Sequence, residues 1–124
     1  MKLFTLAEAN ALLPEVIPKV RDIRQLYAGI EQLRDSARLA AAASEAGGGM
    51  QGGTAYVSKL YKVGKLTTKL HEMGIELKDY SRGLLDFPSK RGTRVVLLCW
   101  QLGEGDEIGW WHETDAGFAG RRPL

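Results

Sequence analysis

At Gly74 the chain changes period. Before it, Leu13, Val16, Val20, Ile23, Tyr27 and Ile30 recur at alternating steps of three and four, reaching back to Ala9. After it come the β-type runs IEL, GLLDF, TRVVLLCW and EIGWWHE, broken by SRG, PSKRG and GEGD. Helical side chains repeat every 3.6 residues and strand side chains every two, so neither half can be built as the other. The pattern predicts an α+β fold, an N-terminal antiparallel helical hairpin packed on a small C-terminal antiparallel β-meander.

The local signals place the parts. Thr5 followed by Glu8 reads as a capping box, with Phe4 positioned to staple the helix start. Pro14 and Pro18 each remove a donor, which predicts a short first helix and a restart or kink near Leu13 and Pro14. The seam beyond them reads either as a short coiled coil or as the buried stripe of an ordinary amphipathic helix. The stretch AAAASEAGGGMQGG passes from strong helix formers to five glycines among seven residues, so a flexible loop is expected there. Thr54 caps a second helix and Gly74 stops it. With 124 residues, 44% of them apolar, the chain suits one domain over 1–124. Its expected parts are a kinked first helix over 5–46, the loop over 47–53, a second helix over 54–73, the meander over 75–113 and a docked tail over 114–124.

Strand closure brings specific residues together. Turning the first long hairpin through Pro88 to Gly92 sets Asp86 opposite Arg94 and Leu85 opposite Val95. Turning the next around Gly103 to Asp106 sets Arg94 opposite Glu113 and Val95 opposite His112. Asp86, Arg94 and Glu113 then form one cross-strand row, and a slip of one residue in either hairpin destroys it. On this register Leu85, Phe87, Val95, Leu97, Cys99, Ile108 and Trp110 face the helices. Val96, Leu98, Trp100 and Trp111 share the other face with the charged row. That second face is too apolar to stay wet, so a second subunit or the C-terminal tail is expected to cover it.

Function classes narrow by exclusion. Seventeen basic against fifteen acidic residues leave +2, too little to indicate nucleic acid or membrane. The longest apolar run, Val95 to Trp100, cannot span a bilayer, and the N-terminal apolar stretch is cut by Glu8 and Asn10 before it reaches leader length. A cytoplasmic protein without membrane attachment is expected. Cys99 has no intrachain partner and sits inside VVLLCW, where burial suppresses a reactive thiolate; it reads as structural rather than as a nucleophile with His112 as base. No phosphate loop, dinucleotide fingerprint or serine elbow occurs, so no cofactor is expected. Lys59, Lys62, Lys65 and Lys69 form a basic stripe that nucleic acid would use, although such a stripe is ordinarily a solvated helix face.

The polar groups near the C-terminus define the candidate site: Asp86, Arg94, Trp111, His112, Glu113 and Arg121 for a small ligand, with His112, Glu113 and Asp115 the candidates for a divalent metal. Neighbouring His112 and Glu113 point to opposite faces of a strand, which weighs against their chelating one ion. Phe118 lies between Gly117 and Gly120 as an anchor, and its docking with Leu124 would fix Arg121 in place.

The stretches FTLAEANALLPEV, GIELKDYSRGLLDFP and LCWQLGEGDEIGWWHETDAGFAGRRPL together resemble a bacterial family of unassigned function, domain of unknown function 2203. The likeness covers both ends and most of the sheet and shows no departure from the motifs; residues 37–54 match none. It implies N-terminal helices, a C-terminal sheet and no established activity. It also implies that Lys78, Asp79, Asp86, Arg94, Cys99, Trp100, Glu104, Trp111, His112, Glu113 and Arg121 belong to the family pattern. Three functions follow as expectations: a homodimeric binding or regulatory protein with a small polar site on the sheet and a partner surface on the hairpin, a metal-dependent or acid-base enzyme using His112, Glu113 and Asp86, or a nucleic-acid binder.

Overall fold

A computed structural model describes residues 1–43 and 53–124, the side chains of 40–43 excepted. Most of the glycine-rich loop expected after the first helix therefore lies outside the described residues. Two helices, α1 (Leu6–Ala43) and α2 (Gly53–Glu72), pack against each other and are followed by five strands. These are β1 (Glu76–Asp79), β2 (Leu84–Arg91), β3 (Arg94–Gln101), β4 (Trp110–Glu113) and β5 (Arg122–Pro123), with a 3₁₀ turn at Phe118–Gly120. Every strand pairs with its sequence neighbour, giving an antiparallel meander in the order β1-β2-β3-β4-β5. The α+β hairpin-on-meander layout is the one that the change of period predicts. No helix among the described residues is long and apolar enough to cross a membrane.

The capping box forms as read. The Thr5 N–H donates to Glu8 Oε1 at 2.9 Å, and the Glu8 N–H donates to Thr5 Oγ1 at 3.1 Å. Helix α1 then runs unbroken through Pro14 and Pro18, where a break was expected. Both prolines lie four residues apart on the exposed side, so the carbonyls they orphan face water. On the other side Ala9, Leu13, Val16, Val20, Ile23 and Ile30 are buried in the core. At about 1.5–3 kcal/mol for each large side chain, that burial exceeds the roughly 3 kcal/mol that an interior proline costs. Helix α2 ends in a Schellman motif: the Ile75 N–H donates to Leu70 O and the Gly74 N–H to His71 O, with Gly74 at φ 86°. Leu70 and Ile75, the two apolar residues of that motif, are both fully buried.

The sheet register corrects the expected one. Pro88 lies inside β2 rather than in a loop, and the β2–β3 hairpin turns through Gly92 and Thr93 alone, with Arg91 opposite Arg94. Gly92 takes φ 64° while Thr93 keeps a negative φ, the glycine-first pattern of a type II′ hairpin. The Pro88 carbonyl accepts from Phe4 N–H on the edge away from β3, and a strand residue's N–H points with its carbonyl. The proline therefore removes no bond from the β2–β3 ladder.

Asp86 thus pairs with Cys99 and Leu85 with Trp100, five positions from expectation. An odd shift exchanges the faces. Leu85, Phe87, Val96, Leu98, Trp100 and Trp111 pack on the helices, whereas Leu84, Asp86, Leu97, Cys99 and His112 are buried on the opposite face. Between β3 and β4 the shift is only two, with Val96 opposite Glu113 and Leu97 opposite His112, so the faces predicted for β3 and β4 relative to each other survive.

Candidate functional site

The opposite face of the sheet gathers three chemically capable side chains from three adjacent strands. Asp86 of β2 stands directly across from Cys99 of β3, and His112 of β4 lies diagonally beyond Cys99. One potential ligand atom from each residue falls within 4.8 Å of the other two, and all three residues are buried. Alternation along the strands aims them to one side, and the meander order makes them neighbours.

Hydrogen bonding fixes the imidazole. His112 Nδ1–H donates to Glu113 O at 2.7 Å, which orients the ring and leaves Nε2 3.0 Å from Asp86 Oδ1. Two acceptors cannot bond without a proton between them, so one proton is shared by Nε2 and Oδ1. The pair is either imidazolium–carboxylate or imidazole–carboxylic acid. Burial pushes the Cys99 thiol up to about 12, helped by the neighbouring Asp86 carboxylate and opposed by the Arg121 guanidinium. At neutral pH the site therefore holds a thiol and not a nucleophilic thiolate.

The C-terminal tail closes over this face. Arg121 Nη2 donates to Glu104 Oε1 and Oε2 at 2.8 and 2.7 Å, and its guanidinium lies 4.8 Å from the Trp110 ring and 4.7 Å from that of Phe118. Arg82 stacks on Phe118 at 4.0 Å. The Gln101 N–H also donates to Glu104 Oε1, which ties the tail to the end of β3. Arg121 is held in place by Glu104 and two aromatic rings, whereas Leu124 stays half exposed.

The other expected site residues separate. The Asp86–Arg94–Glu113 row does not exist, because Asp86 belongs to the opposite face. Arg94 and Glu113 still form an ion pair at 3.0 Å, near the hairpin end of the helix-facing side. Trp111 is a core residue beneath Arg91, whose guanidinium is 4.1 Å from its ring. Glu113 faces away from His112, and Asp115 is exposed in the tail. Cys99 is the member that sequence reasoning set aside as purely structural. Its position two residues before Gln101 on the same face as His112 was readable; its pairing with Asp86 needed the true hairpin turn.

Asp, Cys and His supply oxygen, sulfur and nitrogen donors of the kinds that zinc and neighbouring transition metals take. Donors around a tetrahedral ion lie about 3.5 Å apart, so the trio needs to contract by about 1 Å at its widest. A ring nitrogen bonded to a backbone carbonyl is the usual support for a histidine ligand. Neither a curated protein nor a solved structure matches the chain. A family model matches residues 2–124, the helices, the sheet and the tail together, and by it the chain belongs to the family described as "Uncharacterized conserved protein (DUF2203)".

Proposed function

We propose that this protein is a metal-binding protein whose centre is Asp86, Cys99 and His112, taking a divalent ion of the zinc class. The observation that carries this reading is the convergence of three different donor atoms within 4.8 Å in a buried site. Such a group is costly to bury for packing alone. An ion would displace the thiol proton and the proton shared by His112 and Asp86, leaving a neutral centre of one divalent ion, one thiolate, one carboxylate and one imidazole. Three protein ligands leave a fourth position for water or a small ligand, as exchangeable and catalytic zinc sites do.

Titration with cobalt(II) as a spectroscopic stand-in tests this directly. The expected result is one ion per chain, a thiolate-to-cobalt charge-transfer band and release of about two protons per ion at neutral pH. Cys99→Ser should lose the charge-transfer band while staying folded. Absence of the band and of proton release in the wild-type chain overturns the reading.

A second reading, self-association, is favoured by the free end of the helical hairpin. Leu39 near the end of α1 and Val57 and Tyr61 near the start of α2 are 73%, 64% and 65% exposed. Antiparallel helices bring those two ends together, and the Arg34 Nε bond to Tyr56 Oη spans them.

A further inference from the structure

The groove between α1 and α2 carries chemistry that the sheet centre does not use. Asp22 and Leu26 of α1 and Lys59, Lys62, Lys65 and Leu66 of α2 line it, around a volume of about 520 Å³. That lies within the roughly 300–1,000 Å³ of small-molecule sites. Three lysines and one aspartate line it, and among the described residues none of the three lysines is ion-paired, although the Lys65 ammonium lies 5.4 Å from the Tyr61 ring. Like charges three residues apart on one helix repel, so the stripe is held against its own electrostatics. Leu26 and Leu66 give the groove an apolar floor. Lys69, the fourth lysine of the stripe, is not part of the lining, so the basic track ends where the groove does.

Gly29 of α1 leaves room for one of these lysines. Glycine is a poor residue for the middle of a helix. A methyl group at that position would stand 3.1 Å from Lys59 Cε and 3.4 Å from its Nζ. The bare backbone lets the Lys59 stem lie across α1 and keeps it half-buried.

We infer that this groove binds a small organic polyanion of nucleotide size, with its anionic groups on Lys59, Lys62 and Lys65 and its less polar body on Leu26 and Leu66. The inference is independent of the metal centre. A polyanion cancels the lysine repulsion, while a groove of this volume between two helices suits a small molecule better than a nucleic-acid duplex. The apolar floor distinguishes an organic anion from inorganic phosphate.

Calorimetric titration of the full chain at low salt, with magnesium-free ATP and with inorganic tripolyphosphate, tests it. One site is expected, with ATP the tighter of the two and both weakened by salt. Each Lys→Gln change at 59, 62 or 65 should weaken ATP about two- to fivefold, the range of an exposed ion pair, and the triple variant at least about tenfold. Lys69→Gln should leave binding unchanged. Gly29→Ala, which favours the helix, should still weaken ATP by moving Lys59. No binding of either probe overturns the inference, as does ATP affinity that survives the triple variant. Tripolyphosphate binding as tightly as ATP removes the organic body from the assignment and overturns it. A single-stranded oligonucleotide that binds more tightly than ATP and depends on Lys69 overturns it in favour of nucleic acid.

Discussion

Cys99 is fully buried directly opposite the buried Asp86 carboxyl group, and the consequence is a pH dependence that a surface thiol would not show. Its folded value is raised from 9.0 to about 12, by burial first and by Asp86 second. A raised value means that the folded chain holds the proton more tightly than the unfolded chain. The stabilisation is complete below the unfolded value and drains away as pH rises from 9 towards 12. In that window the wild-type chain should lose about 1.4 kcal/mol per pH unit more than Cys99→Ala, one proton's worth. Urea unfolding of both proteins at several alkaline pH values checks this. Parallel stability curves would mean that burial and Asp86 together do not raise the thiol. Any other group common to the two proteins contributes equally to both curves and cancels in the difference.

Among the elements, the ends of α2 and of β2 depend on glycine for different reasons than its middle does. Gly74 occupies φ 86° in the Schellman motif, and a Cβ there would meet Lys2 Cβ at 2.9 Å. Gly64, inside α2, has open space where a Cβ would stand. Gly74→Ala is therefore expected to destabilise by about 1–2 kcal/mol or more, and Gly64→Ala to stabilise by about 0.4–1 kcal/mol. Thermal denaturation of the two variants should move in opposite directions; movement in the same direction would count against the motif. The same contrast explains what could be read beforehand. The presence of two helices, the Thr5 cap and the Gly74 stop were legible because each is written in contiguous residues, whereas the continuity of α1 through Pro14 and Pro18 depends on the core it packs on. The β2–β3 register was not, because Pro88-Ser89-Lys90-Arg91-Gly92 resembles a loop while only its last residue turns. The Phe4 N–H that makes Pro88 harmless comes from the far end of the sequence. That odd displacement moved Cys99 and His112 from the expected helix-facing side onto the face that Asp86 holds, and the expected register hid their partnership. His112 and Cys99 were placed on one side because the β3–β4 error was even.

At the scale of the whole molecule, the far end of the hairpin is an exposed apolar region among the described residues. Leu39, Val57, Leu60 and Tyr61 are all exposed there. Light scattering coupled to size exclusion is expected to show a concentration-dependent dimer that Val57→Glu with Tyr61→Glu returns to monomer. A monomer mass at every concentration would remove the self-association reading. The edges of the sheet are guarded differently. Its outer strands are a four-residue β1 with an irregularity between Leu77 and Asp79 and a two-residue β5 containing Pro123. The part of β2 that β1 leaves uncovered is met by the Phe4 backbone and by the Ser89 Oγ bond to Phe4 O. Long, flat, unpaired strands are where chains recruit one another into fibrils, and this meander exposes only stubs that are bent, capped or closed by proline. Its protection against amyloid-like stacking thus resides in the outermost few residues of the sheet, not in its buried centre.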